Sequence, residues 1–142
     1  MKKVFFLAVF ALGMTATAQK LSTELTAALK NDDTRAIATL VTTANKDACY
    51  EFKSGDLNLL QLATSMGSGD IAHQLINDIK VDVNKTCSGK TPLMFAAYMG
   101  NNGLVEDLLK AGADRKVSVD GKTALDYALE SKNEATIKLL KK

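Results

Sequence analysis

His73 is the only histidine of the chain, and Cys49 and Cys87 are its only cysteines. A lone histidine does acid–base work only beside a nucleophile or ligand partner, and a zinc site needs three or four ligands at close spacing. No such pattern surrounds His73. It stands two positions from Ile71, off the apolar stripe of its segment, and is expected on an exposed helix face. Asp32, Asp33, Asp70, Asp82, Asp114 and Asp120 could supply a carboxylate pair for hydrolysis. They recur at turns, where carboxylates accept backbone N–H bonds, and that role accounts for their positions. Ser65-Met66-Gly67-Ser68-Gly69 is too short for a phosphate loop and lacks its lysine. The residues predict no catalytic group, no metal site and no cofactor. The two cysteines could bridge, stay free or sense oxidants, and the choice depends on where the chain places them.

That placement follows from an internal repeat. Gly89-Lys90-Thr91-Pro92-Leu93 is echoed by Gly121-Lys122-Thr123-Ala124-Leu125, 32 residues on. Leu60, Ala63, Gly67, Ile71 and Leu75 precede Leu93, Ala96, Gly100, Leu104 and Leu108 by 33. Leu25, Ala28, Asp32, Ala36 and Leu40 lie a further 35 residues back. Four units result, spanning about residues 22–54, 55–88, 89–120 and 121–142. The third shows their plan. Thr91 caps a helix and Pro92 suits its first position, where a missing N–H costs nothing. Leu93, Ala96 and Ala97 share a face, and Gly100 ends the helix with a positive φ. Leu104, Val105, Leu108 and Leu109 mark a second helix, Gly112 ends it, and an extended turn leads to the next unit. One helix pair cannot bury its apolar face alone, whereas stacked pairs can.

The run Thr91-Pro92-Leu93-Met94-Phe95-Ala96-Ala97, with Gly100, Leu108-Leu109 and Gly112-Ala113-Asp114, resembles an ankyrin repeat, whose pattern is TPLHxAA, G, LL and GAD. Thr123-Ala124-Leu125-Asp126-Tyr127-Ala128 is similar to the family's TALDxA variant. The resemblance covers about residues 22–142, is recognisable in the second unit, and rests on spacing alone in the first. Asp32 stands where glycine is usual, Lys80 where the third unit has Gly112, and Met94 where the family has histidine. The resemblance implies an all-α solenoid of about four stacked helix-turn-helix repeats. A lysine-rich last helix and the first unit would cap its ends.

Aligning Asp47 with Asp82 puts Cys49 and Cys87 in adjacent extended turns, on one edge of the stack. Equivalent positions of stacked helices lie about 8–10 Å apart, whereas bridged Cα atoms need about 4.4–6.8 Å. A three-residue offset and irregular turns could close the gap, so a Cys49–Cys87 bridge is expected, with free thiols or a redox sensor as alternatives.

Met1-Lys2-Lys3, the apolar run Val4 to Leu12 and Ala16-Thr17-Ala18 read as a signal peptide over residues 1–18, cut after Ala18. Nine apolar residues reach only about 14 Å, too short to span a bilayer. Removing Lys2 and Lys3 turns a net charge of +2 into 16 basic against 16 acidic residues. Balanced charge argues against nucleic acid or an anionic membrane as partner. The expectation is a monomer in the periplasm or secreted, with no membrane insertion after cleavage.

The ankyrin resemblance implies that another protein is met by the first-helix face and the extended turns. Carried onto this chain, those surfaces include Tyr98, Met99 and Met66, flanked by Lys30 and Glu130, and the turn residues Tyr50, Phe52 and Lys85. Tyr and Met offer large contact area with little polar penalty; the same side chains could instead pack against neighbouring turns. The leading expectation is a non-enzymatic protein-binding module outside the cytoplasm. The rivals are a stress-protective accessory with redox-sensitive cysteines, an inhibitor or immunity-type protein, and an enzyme.

Overall fold

A computed structural model describes residues 19–142 apart from residues 54 and 88; the expected signal segment lies outside the described residues. Eight helices follow one another: α1 Thr23–Lys30, α2 Thr34–Leu40, α3 Leu59–Met66, α4 Gly69–Asn77, α5 Pro92–Met99, α6 Asn102–Lys110, α7 Ala124–Glu130 and α8 Glu134–Lys141. They form four pairs. The first helices of the pairs pack on one another in chain order, α1 on α3, α3 on α5 and α5 on α7, and the second helices do the same from α2 to α8. The architecture is all-α, with isolated bridges in the extended turns.

Each helix starts where a side chain can satisfy its unpaired N–H groups. Ser22, Thr91 and Thr123 accept from the third residue on, and Asn58 with Gln61 and Thr123 with Asp126 form reciprocal capping boxes. Asp33, Asn101 and Asn133 cap α2, α6 and α8. Helix α4 is the exception. Its cap residue Ser68 accepts no N–H bond, because its hydroxyl donates instead to the Leu29 carbonyl of the preceding unit. The carboxylate of Asp32, also from that unit, accepts from the N–H groups of Asp70 at 3.2 Å and Ile71 at 2.9 Å. One unit therefore caps a helix of the next.

Asp32 occupies the same slot as Gly67, Gly100 and Lys132, between the two helices of its unit. All four have positive φ, at 51°, 75°, 67° and 56°. Glycine takes this conformation without steric cost, whereas Asp32 and Lys132 carry a Cβ into it.

Polar side chains tie neighbouring turns along one edge. Asp47 accepts from the N–H of Asp82 at 2.6 Å, and Asn84 from that of Asp114 at 2.8 Å. On the other side Asn133 donates to the Gly100 carbonyl at 3.2 Å, and Thr136 to Asn102 at 2.5 Å. Between these rows lies an aliphatic core. Leu29, Ile37, Leu62, Ile71, Leu75 and Leu108 are fully enclosed, as are Ala63, Ala96 and Ala128 of the first helices. No helix of the described residues is long and apolar enough to cross a membrane.

Candidate interaction surface

The cysteine pair joins the extended turns that follow α2 and α4. The Sγ atoms of Cys49 and Cys87 are at disulfide distance, 2.00 Å, and their Cα atoms are 5.8 Å apart. The three-residue offset has closed the gap that equivalent turn positions would leave. Cys87 is buried and Cys49 partly exposed.

Tyr50 lies beside this pair and corrects an expectation. Its turn position marked it as a contact residue, but it is only 3% exposed. It exchanges backbone hydrogen bonds with Leu57, at 2.8 and 2.9 Å, and Gln19 bonds to both of its neighbours, Cys49 and Glu51. This three-stranded arrangement turns the ring inward, where burial pushes the phenol pKa up. Phe52, two residues on, is 38% exposed instead.

The other contact candidates separate. Lys30 is exposed at the end of α1, Met66 is partly buried against the core, and Lys85 is partly buried in the second extended turn. The carbonyl of Lys85 accepts from Asn58 at 3.1 Å, so its backbone is part of the scaffold. Tyr98 and Met99, at the end of α5, are 51% and 50% exposed, and Leu129 at the end of α7 is 49% exposed. With Phe52 these are the exposed large hydrophobic residues among the described ones. Sequence reasoning missed Leu129, although its place one residue before Glu130 puts it on the same helix end.

Around Tyr98 the surface is organised rather than loosely apolar. The Tyr98 and Tyr127 rings meet edge to face, centroids 6.3 Å apart at 89°, a favoured aromatic geometry. Lys90 Nζ lies 5.7 Å from the Tyr98 centroid and 5.5 Å from that of Tyr127, and Lys122 Nζ is 5.8 Å from Tyr127. These are cation–π distances. Lys122 also pairs with Glu130 at 2.5 Å; the hydrogen bond and charge of Glu130 raise the lysine's pKa. Sequence reasoning missed Lys90 and Tyr127 too. Lys90 follows a glycine at the root of its extended turn, and only the fold carries that root over the ends of the first helices.

His73 is exposed on α4, its Nδ1 3.3 Å from Asp107 and 3.1 Å from the Asn77 amide. It lines an open groove of about 300 Å³ with Asp70, Asn101 and Asp107. Among the described residues no three of His, Cys, Asp and Glu gather as metal ligands would.

Comparison with known proteins agrees with this architecture. The family description "Ankyrin repeats (3 copies)" matches residues 6–115 and 60–142. An ankyrin repeat protein of fowlpox virus (strain NVSL) is 42% identical over 62 residues, which cover 42% of this chain and 9% of the viral protein. The match thus spans less than a tenth of that relative. The chain belongs to the ankyrin-repeat family.

Proposed function

We propose that this member of the ankyrin-repeat family is a non-enzymatic module that binds another protein through the exposed ends of α5 and α7. The observation that carries the reading is the clustering of exposed apolar side chains: Tyr98, Met99 and Leu129 are each about half exposed on two helices that pack directly together. Exposed apolar area set among charges is the usual composition of a contact surface. Replacing Tyr98 and Met99 together with alanine should weaken partner capture at least tenfold and leave the helical content unchanged, since neither side chain is in the core. Crosslinking in intact cells, followed by affinity measurement on the captured partner, reads this directly; unchanged capture by the double variant would move the site to the extended turns.

We place this activity outside the cytoplasm. Two independent features support that location: the signal-like residues 1–18, and a cysteine pair at bonding distance, which persists in an oxidising compartment. A second reading, protection of other proteins under redox control, is favoured by the partly exposed Cys49. It requires many captured clients, whereas the binding-module reading requires one stoichiometric partner.

A further inference from the structure

The last two units offer an internal comparison. Lys90 and Tyr98 in the third occupy the slots of Lys122 and Glu130 in the fourth, eight residues apart in each. In the fourth unit the Glu130 carboxylate holds the lysine at 2.5 Å. In the third, Tyr98 stands in place of that carboxylate. Among the described residues Lys90 Nζ lies within 4.0 Å of no carboxylate. The rings of Tyr98 and Tyr127 lie at 5.7 and 5.5 Å from its ammonium.

The side chain is held at its base. The Lys90 N–H donates to the Cys87 carbonyl at 3.3 Å, and its own carbonyl accepts from the buried Gln61 amide at 3.1 Å. An ammonium has three donors and no acceptor, and rings satisfy its charge without accepting strong hydrogen bonds. Such a group, partly buried and beside the exposed Tyr98, which Met99 follows in the chain, complements a carboxylate carried among apolar residues.

We propose that Lys90, clasped by Tyr98 and Tyr127, anchors an aspartate or glutamate side chain of the partner polypeptide, with the apolar neighbours of that residue resting on Tyr98 and Met99. The inference rests on the interaction surface proposed above and adds the chemistry of what it reads. The partner supplies in trans the carboxylate that Glu130 supplies to Lys122 in cis.

The test uses two blocked synthetic peptides, acetyl-Gly-Leu-Glu-Leu-Gly-amide and its counterpart with glutamine for glutamate, so that the side chain is the sole carboxylate. Each is titrated into the intact protein while the ring signals of Tyr98 and Tyr127 are followed by NMR. The glutamate peptide should move both rings and bind about fivefold more tightly than the glutamine peptide, the factor for a partly exposed ion pair. Lys90→Gln should abolish that preference. So should Tyr98→Glu, which gives Lys90 the internal partner that Lys122 already has. Lys138→Gln, on the exposed face of α8, should leave the preference intact. Circular dichroism of each variant separates lost recognition from lost folding. Equal binding of the two peptides through these rings would overturn the carboxylate inference and leave the surface standing. Rings that stay unmoved by the glutamate peptide at millimolar concentration would overturn the inference as well, and binding detected elsewhere would remove the surface with it. A preference that survives both Lys90→Gln and Tyr98→Glu would show that another cation reads the carboxylate.

Discussion

The slot shared by Asp32, Gly67, Gly100 and Lys132 makes a sharp energetic prediction, because the same substitution to glycine should have opposite signs at its two ends. At Lys132 the backbone has a φ of 56°, and the side chain takes part in no ion pair or side-chain hydrogen bond among the described residues. A left-handed conformation costs an ordinary residue about 1–2 kcal/mol. Glycine removes that cost but adds about 0.4–1 kcal/mol of unfolded-state entropy. Lys132→Gly should therefore stabilise by about 0.5 kcal/mol. At Asp32 the strain is smaller, since aspartate tolerates this region better, and the carboxylate does work that glycine cannot. It accepts from Asp70 and Ile71 at 3.2 and 2.9 Å, at a helix start whose own cap residue accepts nothing. Losing a cap costs about 1 kcal/mol, and the glycine entropy term adds to it. Asp32→Gly should destabilise by about 1 kcal/mol, or about 3–5 °C in Tm for a domain of this size. Asp32→Asn keeps the oxygen facing Ile71 and should fall between. Urea titrations of the oxidised protein with a common m-value give the comparison. If Asp32→Gly stabilises the protein as Lys132→Gly does, the inter-unit cap is not a net contributor and the slot is governed by backbone strain alone.

Two further predictions concern the scaffold. Cys49→Ser with Cys87→Ser opens a loop of 38 residues, which the chain-entropy relation values at about 4 kcal/mol; denaturant unfolding with and without reductant should show the loss in the wild type alone, and equal stability of the two proteins when oxidised would contradict it. Asp126 closes the cap of α7 by accepting from the Thr123 N–H at 2.7 Å, and that bond, with the Thr123 hydroxyl, lowers its pKa below the ordinary 3.8. A depressed folded pKa contributes stability that is present above 3.8 and is lost as the pH falls through the lower folded value. The Tm gap between wild type and Asp126→Ala should accordingly narrow below pH 4 and hold constant above pH 5.

What was legible in the sequence was whatever depends on local chemistry. Thr91-Pro92 announces a helix start, Gly100 a helix end, and the recurring leucines and alanines a stack, because each signal acts within a few residues. The cysteine pairing was legible once the units were aligned. Tyr50 was not: its place in an extended turn reads as exposed, and its burial is decided by pairing with Leu57 and Gln19, which leaves Phe52 outside. Asp32 was visible as a departure from glycine, while its purpose lay in the N–H groups of a helix 38 and 39 residues away. Lys90 escaped notice for a similar reason. It repeats faithfully as Lys122, and the difference between the two resides in what stands eight residues later, Tyr98 or Glu130.

These particulars divide the labour along the stack. The two N-terminal units cap α1, α2 and α3 with their own Ser22, Asp33 and Asn58, but α4 takes its cap from Asp32 of the preceding unit, and the Cys49–Cys87 link and the Gln19 bridge add further ties between turns. The two C-terminal units close their helices locally, through Thr91, Asn101, Thr123 and Asn133, and they carry the exposed aromatic surface. In a solenoid each unit feels only its neighbours, so reducing the cysteines should loosen α1 and α2 first, and its effect on the third unit runs through the Lys90 N–H bond to Cys87. A partner held at Lys90 and Tyr98 would then stay bound while the far end of the stack opened, and the order of amide exchange along the chain would record that separation: fastest in α1 and α2, slowest in α5 and α7.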